Sequence, residues 1–300
     1  DALNALAAVV REGRFESAAK SLEISQSAVS QRIKHLEEKV GCVLVIRGRP
    51  CVPTDAGLQL CRHVEQVNLL QHELGERMSS IVGGSLAAAA SVLISVNNDS
   101  LATWFPEVIR RAADELGIRF DILPDDQEHT ENSLKSGDAL AVVTAIEKPV
   151  QGCRRYSLGA MDYHAVASRA FYDRHFGDGV NPDTLQRATC LSFDRKDTIQ
   201  DQWMNIAFGE TAPLSLHYVP SYEGYLECCR NGTAWGLIPG SAAHADIEAG
   251  RLVELVPETA VRVSLHWQVS THSSESLSRL SEIVVEEARQ NLLPDDFRQH

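Results

Sequence analysis

The stretch FESAAKSLEISQSAVSQRIKHLEEKVG, residues 15–41, limits the folds open to this chain more than any other. It reads as two short helices broken at Glu23-Ile24-Ser25. Two helices joined by so short a turn must cross closely, and Ala18 and Ala19 supply the small side chains the crossing needs. Leu22 and Ile24, then Val29, Ile33 and Leu36, fall on the inward face. Ser25 stands where its hydroxyl can cap the second helix, and Gly41 where a helix ends in a left-handed residue. The face left over is Gln26, Ser27, Ser30, Gln31, Arg32 and Lys34, which burial does not require.

The flanks complete the unit. Residues 2–10 read as a preceding helix that ends near Gly13, and the third helix covers 26–39. VLVIRGRPCVPT then reads as a short hairpin turning at Gly48/Pro50, with Arg47 and Arg49 on a wing. Thr54 caps a long helix in which Leu60, Val64, Val67, Leu74 and Met78 recur at near-heptad spacing, with Gln71 interrupting the row. SSIVGGS at 79–85 reads as a hinge.

Gln side chains can bond base edges, Ser, Arg and Lys can hold phosphate, and a helix N-terminus favours an anion. A lone Gln or Ser on a helix is ordinarily only solvated. The whole run, with a wing and a long helix after it, points to double-stranded DNA. The expected contacts are Ser25, Gln26, Ser27, Ser30, Gln31, Arg32, Lys34, Arg47, Arg49 and Thr54. A net charge of −13 argues against attraction of the whole chain to DNA or to an anionic membrane. The charge is unevenly spread, however. Residues 1–88 hold 10 basic and 10 acidic side chains, and the remainder holds 18 and 31. Within 26–50, five basic residues face only Glu37 and Glu38.

After residue 90 strands and helices alternate. VLISVN, RFDILPD, ALAVVT, LSLHYVP, AWGLIP and VSLHWQV read as strands, which predicts an α/β region with a largely parallel sheet. About 210 residues suffice for two lobes.

Seven cysteines, no C-x-x-C and no histidines at zinc spacing predict free thiols in a reducing cytoplasm, with no metal and no cofactor. The N-terminus lacks a charged-then-apolar leader pattern, and LAAAASVLISV is too short and too polar to span a bilayer. No G-x-S-x-G, P-loop or H-E-x-x-H motif is present, so an enzyme is not expected. Cys229 and His217 could be imagined as a catalytic pair, but a buried free cysteine is the commoner case.

One later stretch draws the eye. In SVNNDSLATWFPEVI, Asp99 or Ser100 can cap the helix that follows the first strand, leaving N–H groups for a carboxylate. Ser100 and Thr103 add hydroxyls and Trp104 a wall, although a plain capped helix start reads equally well. Trp267 could wall a pocket or simply pack, and Gly236 and Pro239 are expected to shape a turn.

Residues 15–47, followed by TDAG and a long helix, resemble the N-terminus of a LysR-type transcriptional regulator. The resemblance implies a winged helix-turn-helix over 1–53 and a linker and dimerisation helix over 54–89. It implies an effector-binding domain over 90–300 that resembles a periplasmic binding protein. Lobe I would take about 90–163 and 268–300, and lobe II about 164–267. It also implies a homodimer through the 54–78 helices, a tetramer of two dimers, and a small-molecule effector between the lobes. VNNDSLATWFP, DDQEHT, SGDALAVVT, LGAMDY, PSYEG and GTAWGLIP, in that order, resemble one subgroup. Its members sense lysine and arginine and control basic amino acid export.

A basic amino acid needs a carboxylate partner and acids for two cations. The expected effector contacts are Ser100, Thr103, Trp104, Asp125, Asp126, Thr144, Ser221 and Glu223, with Asp126 and Glu223 as the leading acids. Asp194 is a further acid, while Asp162 and Asp197 read better as caps or surface. An unrelated effector is the chief rival, since Tyr222 beside Glu223 could narrow the pocket. A solute-binding protein shares the lobes but has no use for a winged helix.

Overall fold

In the N-terminal unit, Leu6 and Val9 of helix α1 (Ala2–Glu12) pack on α2 (Phe15–Ser21) and α3 (Gln26–Val40), closing a core with Ala18, Ala19, Val29 and Ile33. Those apolar positions recur every three to four residues, so each helix buries one stripe and leaves the other wet. Gly13 and Gly41 end α1 and α3 with φ of 65° and 83°. The computed structural model describes residues 1–82, 91–124, 139–271 and 274–295. Strands β1 (Val45–Ile46) and β2 (Val52–Pro53) pair antiparallel as the hairpin.

Helix α4 (Asp55–Val82) leaves this unit past Gly57, where a Cβ would run into the Leu44 carbonyl oxygen. Residues 79–82 are therefore helix rather than hinge, and 83–85 lie outside the described residues. One side of α4 meets the effector half. Leu69 and His72 are buried there, His72 Nε2–H donates to Leu116 O at 3.0 Å, and Ser276 N–H donates to Glu73 at 2.7 Å. Of the near-heptad row, Val64 is buried, while Leu74 and Met78 are exposed together with Leu70.

The effector half begins with β3 (Ser91–Val96), α5 (Asn98–Ala102), α6 (Phe105–Leu116), β4 (Arg119–Pro124) and β5 (Ala141–Thr144). It continues through β6 (Cys153–Ser168), α7 (Arg169–His175), α8 (Pro182–Arg187), β7 (Thr189–Ser192), α9 (Ile199–Phe208) and β8 (Ser215–Tyr218). Then come α10 (Tyr222–Arg230), β9 (Gly236–Pro239), α11 (Gly240–Glu248), β10 (Leu252–Glu254), β11 (Val261–Ser270) and α12 (Glu275–Asn291). The main sheet runs β10-β6-β11-β5-β3-β4, with β9 also on β6.

Among the described strands β3–β4, β3–β5 and β7–β8 pair parallel, and β6 and β11 are antiparallel to every strand they pair with. The expected largely parallel sheet is thus corrected to a mixed one. The cause is that β6 carries the chain out of the first lobe and β11 brings it back, so the two lie antiparallel through both.

Three strands, β6, β7 and β10, carry no clear strand pattern in the sequence. β6 hides because its first residues are largely exposed and its last are buried on both faces. Neither half shows sustained alternation. AWGLIP is strand β9 as expected, but Gly236 and Pro239 are its two ends and do not shape a turn between them. Near the middle of the paired strands the register breaks between Leu265 and His266, opposite Gly159 with φ of 112°. A Cβ on Gly159 would strike the Leu293 carbonyl, for the segment after α12 straps this point. Ala160 N–H donates to Leu293 O at 2.8 Å, and Leu293 N–H returns the bond at 2.9 Å. Trp267 is buried with its Nε1–H donating to Ser281 Oγ at 2.9 Å, so it packs rather than walls a pocket.

Candidate functional site

The N-terminal surface is built on α3. Ser25 is its N-cap, accepting from Ala28 N at 3.2 Å and lying 2.9 Å from Ser27 Oγ. Gln26, Ser27, Gln31 and Lys34 are exposed, and Ser30 and Arg32 are half-buried. Lys34 Nζ lies 3.8 Å from Glu38, an exposed pair that holds it loosely. The hairpin leaves Arg47 and Arg49 exposed, with the Arg47 guanidinium 4.9 Å above the Phe15 ring. That stacking steadies the wing against α2 without hiding the charge. Thr54 caps α4 as expected, but its hydroxyl proton is not left for phosphate. Its hydroxyl donates to Val43 O at 2.8 Å and accepts from Gly57 N at 3.2 Å, so its only proton is spent within the fold.

Between the two parts of the effector half lies a cavity of about 930 Å³, with a second of about 460 Å³ beside it. They share Ala160 and Tyr222 as walls. The larger one is lined by the turns expected from the sequence, but through neighbouring side chains. Asn97, Asn98 and Asp99 face it, while Ser100 is fully buried behind them. Ala145 faces it, while Thr144 is buried with its Oγ1 accepting from Ile146 N at 3.2 Å. Tyr222 faces it, while Ser221 caps α10 by accepting from Gly224 N at 3.2 Å.

Glu223 is exposed in the first turn of α10 and lines neither cavity, which removes it as a lining acid in this arrangement. Thr103 and Trp104 line the smaller cavity only. Asp125 and Asp126 lie outside the described residues. Neither Asp99 nor Ser100 caps α5, whose N-cap is Asn97 without a side-chain bond.

Asp99, a candidate helix cap by sequence, is instead an acid of the cavity wall. It accepts from the Tyr163 hydroxyl at 2.7 Å. Burial raises its carboxyl above the ordinary value, the Tyr163 bond opposes, and the charge of Asp197 adds to the rise. A carboxylate so desolvated gains much from an arriving cation.

Asp194 and Asp197 also line the cavity. Asp197 braces its loop, accepting from Phe193 N at 3.0 Å, Gln200 Nε2 at 3.0 Å and Ile199 N at 3.1 Å. Asp194 accepts from Lys196 N at 2.7 Å and Asp197 N at 3.0 Å. Arg155, Lys196 and Arg262 bring positive charge to the same walls, and Arg155 lies 3.6 Å from Glu147. Five lining acids, with Glu147 and Asp295, outnumber these three bases.

Around 97–104, Asn97 Oδ1, Ser100 Oγ and Trp104 Nε1 are buried without a protein partner. Buried polar groups rarely stay unpaired, so these three invite a polar guest. The sequence did contain a signal for Asp99: an acid between two Asn and a Ser just after an apolar strand.

Comparison with known proteins shows the family to which both parts of the chain belong. Residues 1–58 match the bacterial regulatory helix-turn-helix protein, lysR family, and residues 88–292 match the LysR substrate binding domain. The chain is 37% identical over 294 residues to the HTH-type transcriptional regulator ArgP of Pseudomonas fluorescens, covering 98% of each. It is 37% identical over 293 residues to the lysine export transcriptional regulatory protein LysG of Corynebacterium glutamicum, covering 97% of this chain and 98% of the relative. Among solved structures it resembles ArgP from Mycobacterium tuberculosis with a TM-score of 0.79 at 38% identity, covering 98% of each chain. It also resembles full-length LysG from C. glutamicum with bound effector Arg, with a TM-score of 0.70 at 35% identity, covering 98% of this chain and 99% of that one.

Proposed function

The chain belongs to the LysR family of DNA-binding transcriptional regulators, which are not enzymes, and we propose that its effector is lysine or arginine and its target an exporter of basic amino acids. The observation that carries the effector reading is the desolvated Asp99 carboxylate on the wall of a cavity where acids outnumber bases. The similarity to regulators named for lysine export or solved with arginine bound points the same way.

In this reading Asp99 and Asp194 take the two cations of the ligand. The unpaired Asn97 Oδ1, on the wall of the same cavity, takes one of its remaining polar atoms. The α5 N-terminus contributes little to the carboxylate, because a five-residue helix has a small dipole.

DNA is read by Gln26, Ser27, Ser30 and Gln31, while Arg32, Lys34, Arg47 and Arg49 hold the backbone. We divide the lobes at the register break, near 158 and 265, a few residues before the 163/164 boundary that the sequence suggests. The exposed row Leu70, Leu74 and Met78 supports pairing of two α4 helices into a dimer, with two dimers forming the tetramer. No helix among the described residues is long and apolar enough to cross a membrane, and a regulator of genes works in the cytoplasm. Two-fold symmetry calls for pseudo-palindromic half-sites about one helical turn apart. Ligand binding shifts the balance between lobe arrangements, and hence between dimer angles, by its differential affinity for the two.

Arg155, Lys196 and Arg262 favour one second reading, an anionic effector. Titration calorimetry of the full chain against lysine, arginine, histidine, leucine and glutamate decides between them. Heat from lysine or arginine alone is the expected result. Heat from glutamate alone transfers the site to an anion, and silence from all five ends the basic amino acid reading.

A further inference from the structure

A second polar cluster lies outside the main cavity. Asp162 and His164 stand two residues apart on β6, hence on one face of the strand. His244 reaches them from α11, 80 positions further along the chain. One ligand atom from each of the three lies within 4.8 Å of the others. The His164 and His244 rings meet edge to face at 4.9 Å, and His164 Nε2 is 2.9 Å from Asp162 Oδ2.

We infer that Asp162, His164 and His244 form a binding site for a divalent transition-metal ion, zinc by the chemistry of its ligands. Two imidazoles and one carboxylate are a borderline-soft donor set that suits zinc and not magnesium or calcium. An independent feature points the same way. The other nitrogen of His164, Nδ1, lies 2.8 Å from Glu254 Oε1 on β10. A ligand histidine bonded through its far nitrogen to a carboxylate is the usual supporting arrangement at zinc centres, because it fixes the ring and strengthens the donor.

An ion pair of His164 with two acids would explain Asp162 and Glu254 alone. It does not require His244, which adds a third donor to the cluster. Access is also provided, since Asp162 and His244 line the smaller cavity, leaving a fourth position for water. Zinc bonds of about 2.0–2.2 Å fit the 2.9 Å spacing of the Asp162 and His164 donors with a small spread, and His244 must turn inward to complete the set. It is exposed on α11 and free of a packed core, so the turn is easy.

The ion would tie α11 to β6 and β10 within the second lobe. It would sit one cavity wall from Trp104 and Leu293 of the first. Ion binding is therefore expected to stabilise the effector half without touching the DNA surface.

The test is titration of the reduced, chelator-treated full chain with Zn²⁺ in competition with a chromophoric chelator, followed by Co²⁺ spectroscopy. One equivalent is expected to bind. His244→Ala should abolish it, and Glu254→Gln should weaken it by about 10–100-fold while leaving a folded chain. Co²⁺ should give d–d bands without thiolate charge transfer, which separates this site from the seven free cysteines. No binding by the native chain overturns the proposal. So does unchanged affinity in both variants, or a thiolate band accompanying the bound equivalent.

Discussion

The proposed DNA surface and the proposed effector cavity are assembled in opposite ways. The first comes from 30 or so consecutive residues, where a helix cap, a close crossing and a wing each follow from neighbours in the chain. The cavity draws Asp99, Asp194, Tyr222 and Arg262 from four distant segments that only the paired strands β6 and β11 bring together. A site made locally can be disabled without disturbing the remainder. One made by tertiary contact depends on every element that frames it.

That difference can be tested, beginning where the effect should be greatest. Asp246 is buried in α11, where its carboxylate accepts from Arg230 Nε at 2.7 Å and Arg251 Nε at 2.6 Å. Asp246→Ala should cost the effector half about 2–3 kcal/mol in urea denaturation. That falls below the usual loss for a fully buried pair, because both guanidiniums are partly exposed and can return to water. The winged unit should unfold as before. Burial opposes ionisation of Asp246, but the two arginines prevail and hold its carboxyl below the ordinary value. The stability it adds is therefore present above the ordinary carboxylate range and lost as pH falls through the lowered value. An Asp246→Ala chain that kept its native acid stability would break the comparison.

A double dissociation comes next. Asp99→Asn should weaken lysine or arginine binding by about 1.5–3 kcal/mol, as for loss of a charge-assisted bond, with operator binding of the free protein intact. Gln31→Ala should do the reverse, weakening operator binding by about 1–3 kcal/mol in a mobility-shift titration while calorimetry with the amino acid is unchanged. Either variant losing both activities would show the two surfaces to be one cooperative unit. The smallest effect is Ser25→Ala, which removes the α3 cap and should cost about 1 kcal/mol of stability in the winged unit alone.

The winged unit was legible because its determinants are short-range. Ser25, Gly41, Ala18 and the Val29/Ile33 stripe each act within one or two turns, so pattern and propensity suffice. Thr54 was the exception, since its donor is spent on Val43, 11 residues back across the hairpin. In the effector half the α/β class was legible, but the sheet's direction was not. Strand β6 carries no clean alternation, because its two ends lie in different surroundings. The chosen turns around 100, 144 and 222 do border the cavity, but the side chains facing it are one or more positions away. A loop's sequence fixes that it turns, and its packing decides which side chain points inward.

The sequence by itself determined helix α3, its cap, the hairpin, the long helix and the α/β class of the second part. Each of these depends on contacts within a few residues or on a repeating burial pattern. Tertiary structure alone decided that Asp99 rather than Glu223 faces the cavity, that β6 and β11 cross both lobes, and that His244 meets Asp162 and His164. Those outcomes depend on how strands far apart in the chain pair and in which register. No local run of residues encodes that choice, because it is settled by the free energy of burying the whole core at once.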